Sequence, residues 1–170
     1  MDRDEVISEL EQAFMGVRLG NGTGLREADG LDYYASEKEL AALRDEDEKE
    51  DWRCVSFEDL NRYQCGFSFL DLEGLRFYLP ALMRFDLLHD EFSEGGLAAE
   101  ASPCFHIDNH FSELFGILNL AQRLAVQHYL EYKLDRVIGA YGGEVEAMGT
   151  VFYAEVEGGV LRCWEWNGVD

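Results

Sequence analysis

Three stretches of this 170-residue chain carry side chains able to do chemistry. The first, "SFLDLEGLRFYLPALM" from Ser68 to Met83, sets Asp71, Glu73 and Arg76 among aromatics and leucines. The second, "CFHIDNHF", offers Cys104, His106, Asp108 and His110. The third runs from Glu37 to Asp51 and holds eight acids against three bases.

A general acid and base must converge on one target. Asp71 and Glu73 would do so only off a helix, because i and i+2 on a helix point about 200° apart. The helical reading therefore makes Asp71 an N-cap favoured by the dipole, with Arg76 packing on rings and pairing with Asp71 or Glu73. That stretch reads as core stapled by charge. Cys104, His106, Asp108 and His110 are all metal-capable. In an extended strand they share one side, while on a helix His106 and His110 share a face at i,i+4. Strand neighbours at i,i+2 stand about 7 Å apart, so all four cannot hold one ion. No H-E-x-x-H, no G-x-S-x-G and no C-x-x-C accompanies them. No cofactor is expected.

The acidic run dominates the remaining chemistry. Across the chain, thirty-five acids face fourteen bases, for a formal charge of -21. Such a surface repels nucleic acid and anionic membranes, and it attracts basic proteins and speeds their approach. Asp45, Glu46, Asp47, Glu48, Glu50 and Asp51 form the candidate partner-binding edge. The competing reading is a solvated helix face whose charge keeps the protein soluble.

The elements that must position these residues read as mostly helical. A first helix spans Asp4 to about Met15, capped by Asp2 or Asp4, with Ile7, Leu10 and Phe14 on its apolar face. "GNGTG" ends it, without the lysine and serine of a phosphate loop. A second helix runs from Leu25 to Tyr34. Ser36 and Glu39 form a capping box for a third. Ser56 caps "FEDLNRY". Pro80 divides the central stretch into two helical pieces joined near Tyr78 to Pro80. "DEFSEGGLAAEASP" reads as the most mobile loop. Asn119 caps a long helix from Leu120 to Tyr141 that Gly142 and Gly143 stop. "TVFYAEVEGGVLRCWEW" reads as a hairpin turning at Gly158-Gly159, with Phe152, Ala154 and Val156 on one face. Of Trp164 and Trp166, at least one is expected to be buried.

The expected fold is therefore α+β and helix-dominated. It has about six helical segments and a small C-terminal β-hairpin, in a single domain over 1–170. With 47% hydrophobic and 13% aromatic residues the chain can bury a core. Its opening is acidic where a signal peptide is basic, and no apolar run is long enough to span a bilayer, so a cytoplasmic location follows. The four scattered cysteines read as reduced, mostly buried thiols.

The pattern S-F-L-D-x-E-G-x-R-F-Y-L-P-A resembles the signature of a bacterial family of unknown function. An upstream D-E-x-x-D-W is matched by Asp47, Glu48, Asp51 and Trp52. A downstream helix is matched by Gln122, Arg123, Ala125, Val126, Tyr129, Leu130 and Tyr132. The resemblance covers roughly Gly24 to Leu134 and brings no established activity. The tail from Thr150 departs from it as an addition. The expectation that remains is a non-enzymatic acidic binding protein, most concretely an immunity-type inhibitor masking the basic surface of a toxin effector domain. The alternatives are a small metal-dependent enzyme using His106, Asp108 and His110, and an acidic DNA mimic.

Overall fold

A computed structural model describes residues 1–89, 103–141 and 151–167. Among them every regular element is helical. They are α1 (Arg3–Ala13), α2 (Leu25–Asp32), α3 (Glu37–Glu46), α4 (Phe57–Arg62), α5 (Leu72–Leu88), α6 (Pro103–Asn109), α7 (Phe111–Ile117), α8 (Leu120–Tyr141) and α9 (Val151–Asn167). Two 3-10 turns, Trp52–Cys54 and Gln64–Phe69, flank α4. The architecture of the described residues is all-α, and the expected α+β class with its C-terminal hairpin is wrong.

Most helix starts follow from local chemistry. Asp2 and Glu5 form a reciprocal capping box on α1, and Ser36 and Glu39 form one on α3. Ser56 caps α4 by accepting the Asp59 amide. Asn119 and Gln122 exchange side-chain bonds of 2.9 and 3.1 Å at the start of α8. The α2 helix ends at Asp32, two residues short of the expected Tyr34, and Tyr34 turns the chain at a φ of 58°.

The chain gathers into two compact units. One comprises residues 1–14 and 104–170, the other 15–103. In the first unit α1 and α9 both pack on α8. Val6 and Leu10 of α1 and its C-cap Phe14 are fully buried, so the apolar face starts at Val6 and not at Ile7. The α8 face is Gln122, Ala125, Val126, Tyr129, Leu130 and Lys133, while Leu120 is exposed. Because α8 is covered by two helices, its buried face is broader than a single stripe at helical spacing. His128 Nδ1 meets Glu9 Oε2 at 2.7 Å and ties α8 to α1.

The error over the tail has a local cause. Gly158-Gly159 is a good turn dipeptide, but in α9 a Cβ on Gly159 would stand 3.0 Å from Leu130 Cδ1. Gly159 is the point where α9 comes close to α8, and packing overrides the strand propensity of the residues around it. Gly158 has open space where its Cβ would be. Gly158→Ala is therefore expected to stabilise the fold by about 0.5–1 kcal/mol, as for a helix interior with room for the added methyl. Urea denaturation with a far-UV helix signal reads this directly, whereas a hairpin turn would be weakened by the same change.

"CFHIDNHF" is also helical and not extended. Pro103 stands at the first position of α6, where its missing N–H costs nothing, and His110 is the N-cap of α7.

In the second unit α2 packs on the Gln64–Phe69 turn and on α3, and the Trp52–Cys54 turn packs on α5. The α5 helix runs unbroken through Pro80, contrary to the two pieces expected. An interior proline costs about 3 kcal/mol. Here every residue from Phe77 to Met83 is buried, and that burial outweighs the lost hydrogen bond. Gly142, Gly143 and the segment 90–102 lie outside the described residues.

Candidate functional site

A depression of the second unit surrounds the N-terminus of α2. Its N-cap is Gly24, which has no side chain to satisfy the first amides. Asp47, twenty-three residues downstream, does so instead. Its carboxylate accepts the Arg26 amide at 2.9 Å and the Glu27 amide at 3.3 Å. A Cβ on Gly24 would overlap this carboxylate, so glycine is what lets Asp47 in. The Leu25 amide donates to the Tyr78 hydroxyl at 3.3 Å. Three first-turn amides are thus served by side chains remote in sequence.

Arg26 points from the same turn to Asp59 and Tyr63, with Nη2 to Oδ1 at 3.0 Å and Nη1 to the Tyr63 hydroxyl at 2.6 Å. Burial works against its charge, but Asp59, Tyr63 and Asp47 prevail and hold its pKa above the ordinary value. Burial raises the Asp47 carboxyl, against the two amides and the Arg26 charge. Burial, and then the Asp47 charge, raise the Tyr78 hydroxyl. Between these groups lies a cavity of about 220 Å³, lined chiefly by Arg26, Glu46, Asp47, Glu48, Asp59 and Tyr78, with exposed Cys54 also in its wall. Four carboxylates there face one guanidinium.

The central motif closes the same unit. Asp71 Oδ1 caps α5 by accepting the Gly74 amide at 2.7 Å. It also accepts the Thr23 amide at 3.1 Å, while Oδ2 accepts the Thr23 hydroxyl at 3.2 Å. Asp71 clasps the "GNGTG" loop to α5. Arg76 pairs with neither Asp71 nor Glu73, against expectation, and its buried Nε has no partner among the described residues.

Residues 2–137 match DUF6714, a family of unknown function. The chain belongs to DUF6714. The match begins well before Gly24, so α1 is part of the family's span, and α9 lies beyond it. Curated proteins and solved structures yield no match.

The six acids proposed from the sequence do different things in this DUF6714 chain. Asp47 is 9% exposed and caps α2. Glu48 accepts the amides of Glu50 and Asp51 at 2.8 and 3.1 Å and shapes the turn. Asp51 caps the Trp52–Cys54 turn and grips the Arg53 guanidinium at 2.7–3.2 Å. Asp45, Glu46 and Glu50 are the exposed ones. Lys49 approaches Asp45 at 3.8 Å and Arg18 approaches Glu50 at 3.1 Å. Exposed pairs of this kind contribute about 0–1 kcal/mol.

Among the described residues no group of three histidines, cysteines or carboxylates could hold a metal ion. His106 is buried and His110 sits between α6 and α7, while the Asp108 side chain lies outside the described residues. Cys54 and Cys65 are exposed, so only Cys104 and Cys163 fit the expected buried thiols. Burial pushes the Cys163 thiol up to about 12. Both Trp164 and Trp166 are exposed, contrary to the expected burial of one. Trp164 Nε1 donates to Glu131 at 2.7 Å, and Trp166 meets Phe111 and Phe115 edge-on. No helix among the described residues is long and apolar enough to cross a membrane.

Sequence reasoning missed Arg26, Asp59, Tyr63 and Tyr78 as site residues. They come from separate elements with no common spacing. The one available signal was Gly24, a glycine where a helix start calls for a capping side chain.

Proposed function

We propose that this chain is a non-enzymatic acidic binding protein that holds a basic protein in the cytoplasm. Its most concrete form is an immunity-type inhibitor covering the basic surface of a toxin. The observation that carries this reading is the placement of Asp45 and Glu46. They are exposed at the C-terminal end of α3, where the helix dipole is already negative. Each carboxylate there costs the helix about 0.3–1 kcal/mol. The helix dipole disfavours them there, whereas attraction of a cationic partner favours them. Glu50, four residues on, extends the same acidic edge along the chain.

The test starts from tagged protein incubated with lysate of its host and washed at low and at high salt. A single basic protein retained in equal amount, and released as salt rises, is the expected result. The variant carrying Asp45→Lys, Glu46→Lys and Glu50→Lys should then associate at least about tenfold more slowly with that protein and show a flattened salt dependence. Because lysines suit a helix C-terminus and the Arg18–Glu50 pair is solvent-exposed, the variant should fold as well as the parent. Unchanged association would remove these residues from the interface.

A further inference from the structure

We propose that the cavity beside α2 binds a primary ammonium carried next to a carbonyl, as in an amino-acid amide or the N-terminal residue of a peptide. Two independent demands of the cavity wall lead to this chemistry.

The first demand is for an acceptor. Tyr78 is 1% exposed, and its hydroxyl oxygen accepts the Leu25 amide. The hydroxyl proton has no acceptor among the described residues, although Tyr78 lines the cavity. A buried donor left unspent is costly, and a cavity beside it is where its partner would sit.

The second demand is for a cation. Glu46, Asp47, Glu48 and Asp59 line the wall, and the sole guanidinium is already committed to Asp59 and Tyr63. Asp47 accepts only two amides and is pushed toward its protonated form by burial, so a donor-rich cation would relieve it.

A guanidinium has only donors and would leave Tyr78 unanswered. A carboxylate would answer Tyr78 but meet like charge. An ammonium with a carbonyl beside it answers both, and about 220 Å³ accommodates a group of that size. Because the probe is a small molecule, this inference is tested apart from the reading of the exposed edge, with which it shares Glu46 but neither Asp45 nor Glu50.

The experiment is a titration of the full chain with glycinamide, read at the backbone amide signals of Leu25, Arg26 and Glu27 by heteronuclear NMR. Saturable shifts of those three are expected. N-acetylglycinamide, which lacks the charge, and ethylammonium, which lacks the carbonyl, should each bind about tenfold more weakly. Tyr78→Phe should weaken glycinamide by up to about tenfold and leave ethylammonium unchanged. Glu46→Gln, at the exposed rim, should weaken both ammonium compounds without affecting the fold. Tighter binding of a triglycine amide than of glycinamide would point to a chain terminus as the natural ligand. Weaker binding would point to a free amino-acid amide. Absence of saturable shifts, an equal response to N-acetylglycinamide, or an unchanged glycinamide affinity in Tyr78→Phe would each overturn the proposal and leave a cavity that holds water only.

Discussion

Gly74→Ala is expected to destabilise the fold by about 2–3 kcal/mol, although alanine is the better helix former by about 1 kcal/mol. Gly74 is the third residue of α5, and a Cβ there would run into the Thr23 carbonyl oxygen. The obstacle is backbone and cannot rotate away. From the other side, a Cβ on Gly22 would stand 2.7 Å from the Gly74 amide nitrogen. The two glycines let the "GNGTG" loop lie on the start of α5, where Asp71 grips Thr23. Overpacking at such a point costs about 1–3 kcal/mol. Pushing the loop away also breaks the Asp71 bonds to Thr23 and adds to that cost. Urea midpoints of Gly74→Ala and Gly22→Ala give the answer. A midpoint at or above the parent's would show that helix propensity outweighs the close approach.

Asp47→Ala should cost about 2 kcal/mol, because two first-turn amides of α2 lose their acceptor. Asp47→Asn keeps one oxygen and should cost about 1 kcal/mol. The pH dependence separates this carboxylate from an ordinary surface acid. Burial raises its folded pKa above the unfolded value, so the folded state holds the proton over that interval. Its contribution to stability therefore grows as pH falls from above the raised pKa to the ordinary carboxylate range, and shrinks as pH rises. Thermal melts across mildly acidic pH should show the parent gaining more on acidification than Asp47→Asn. Equal slopes would mean that the carboxyl titrates as in the unfolded chain.

The caps at Ser36, Ser56, Asp71 and Asn119 were legible in the sequence, Asp2 was one of two candidates, and the long helix α8 was legible with its bounds. Capping is a bond between residues two or three apart, so one short window contains both partners. The acidic surface was legible for a different reason, since net charge is a sum that no fold changes. The path of α5 through Pro80 and the helical state of α9 were not legible. In both places local propensity favours a break or a strand, and burial against other elements reverses the preference.

The division of labour within one acidic run was decided by tertiary structure alone. Asp45 and Asp47 are the same residue type two positions apart. Asp47 is drawn under α2 because Gly24 leaves room for its carboxylate, while Asp45 stays in water. The cavity was hidden for the same reason, as its Arg26, Asp47, Asp59 and Tyr78 meet only once α2, α4, α5 and the turn after α3 are packed. Composition and short-range spacing determined where helices start and what charge the surface carries. Which carboxylates line the cavity and which hold the fold was decided by contacts between residues twenty to fifty-three positions apart, whose energies no local pattern encodes.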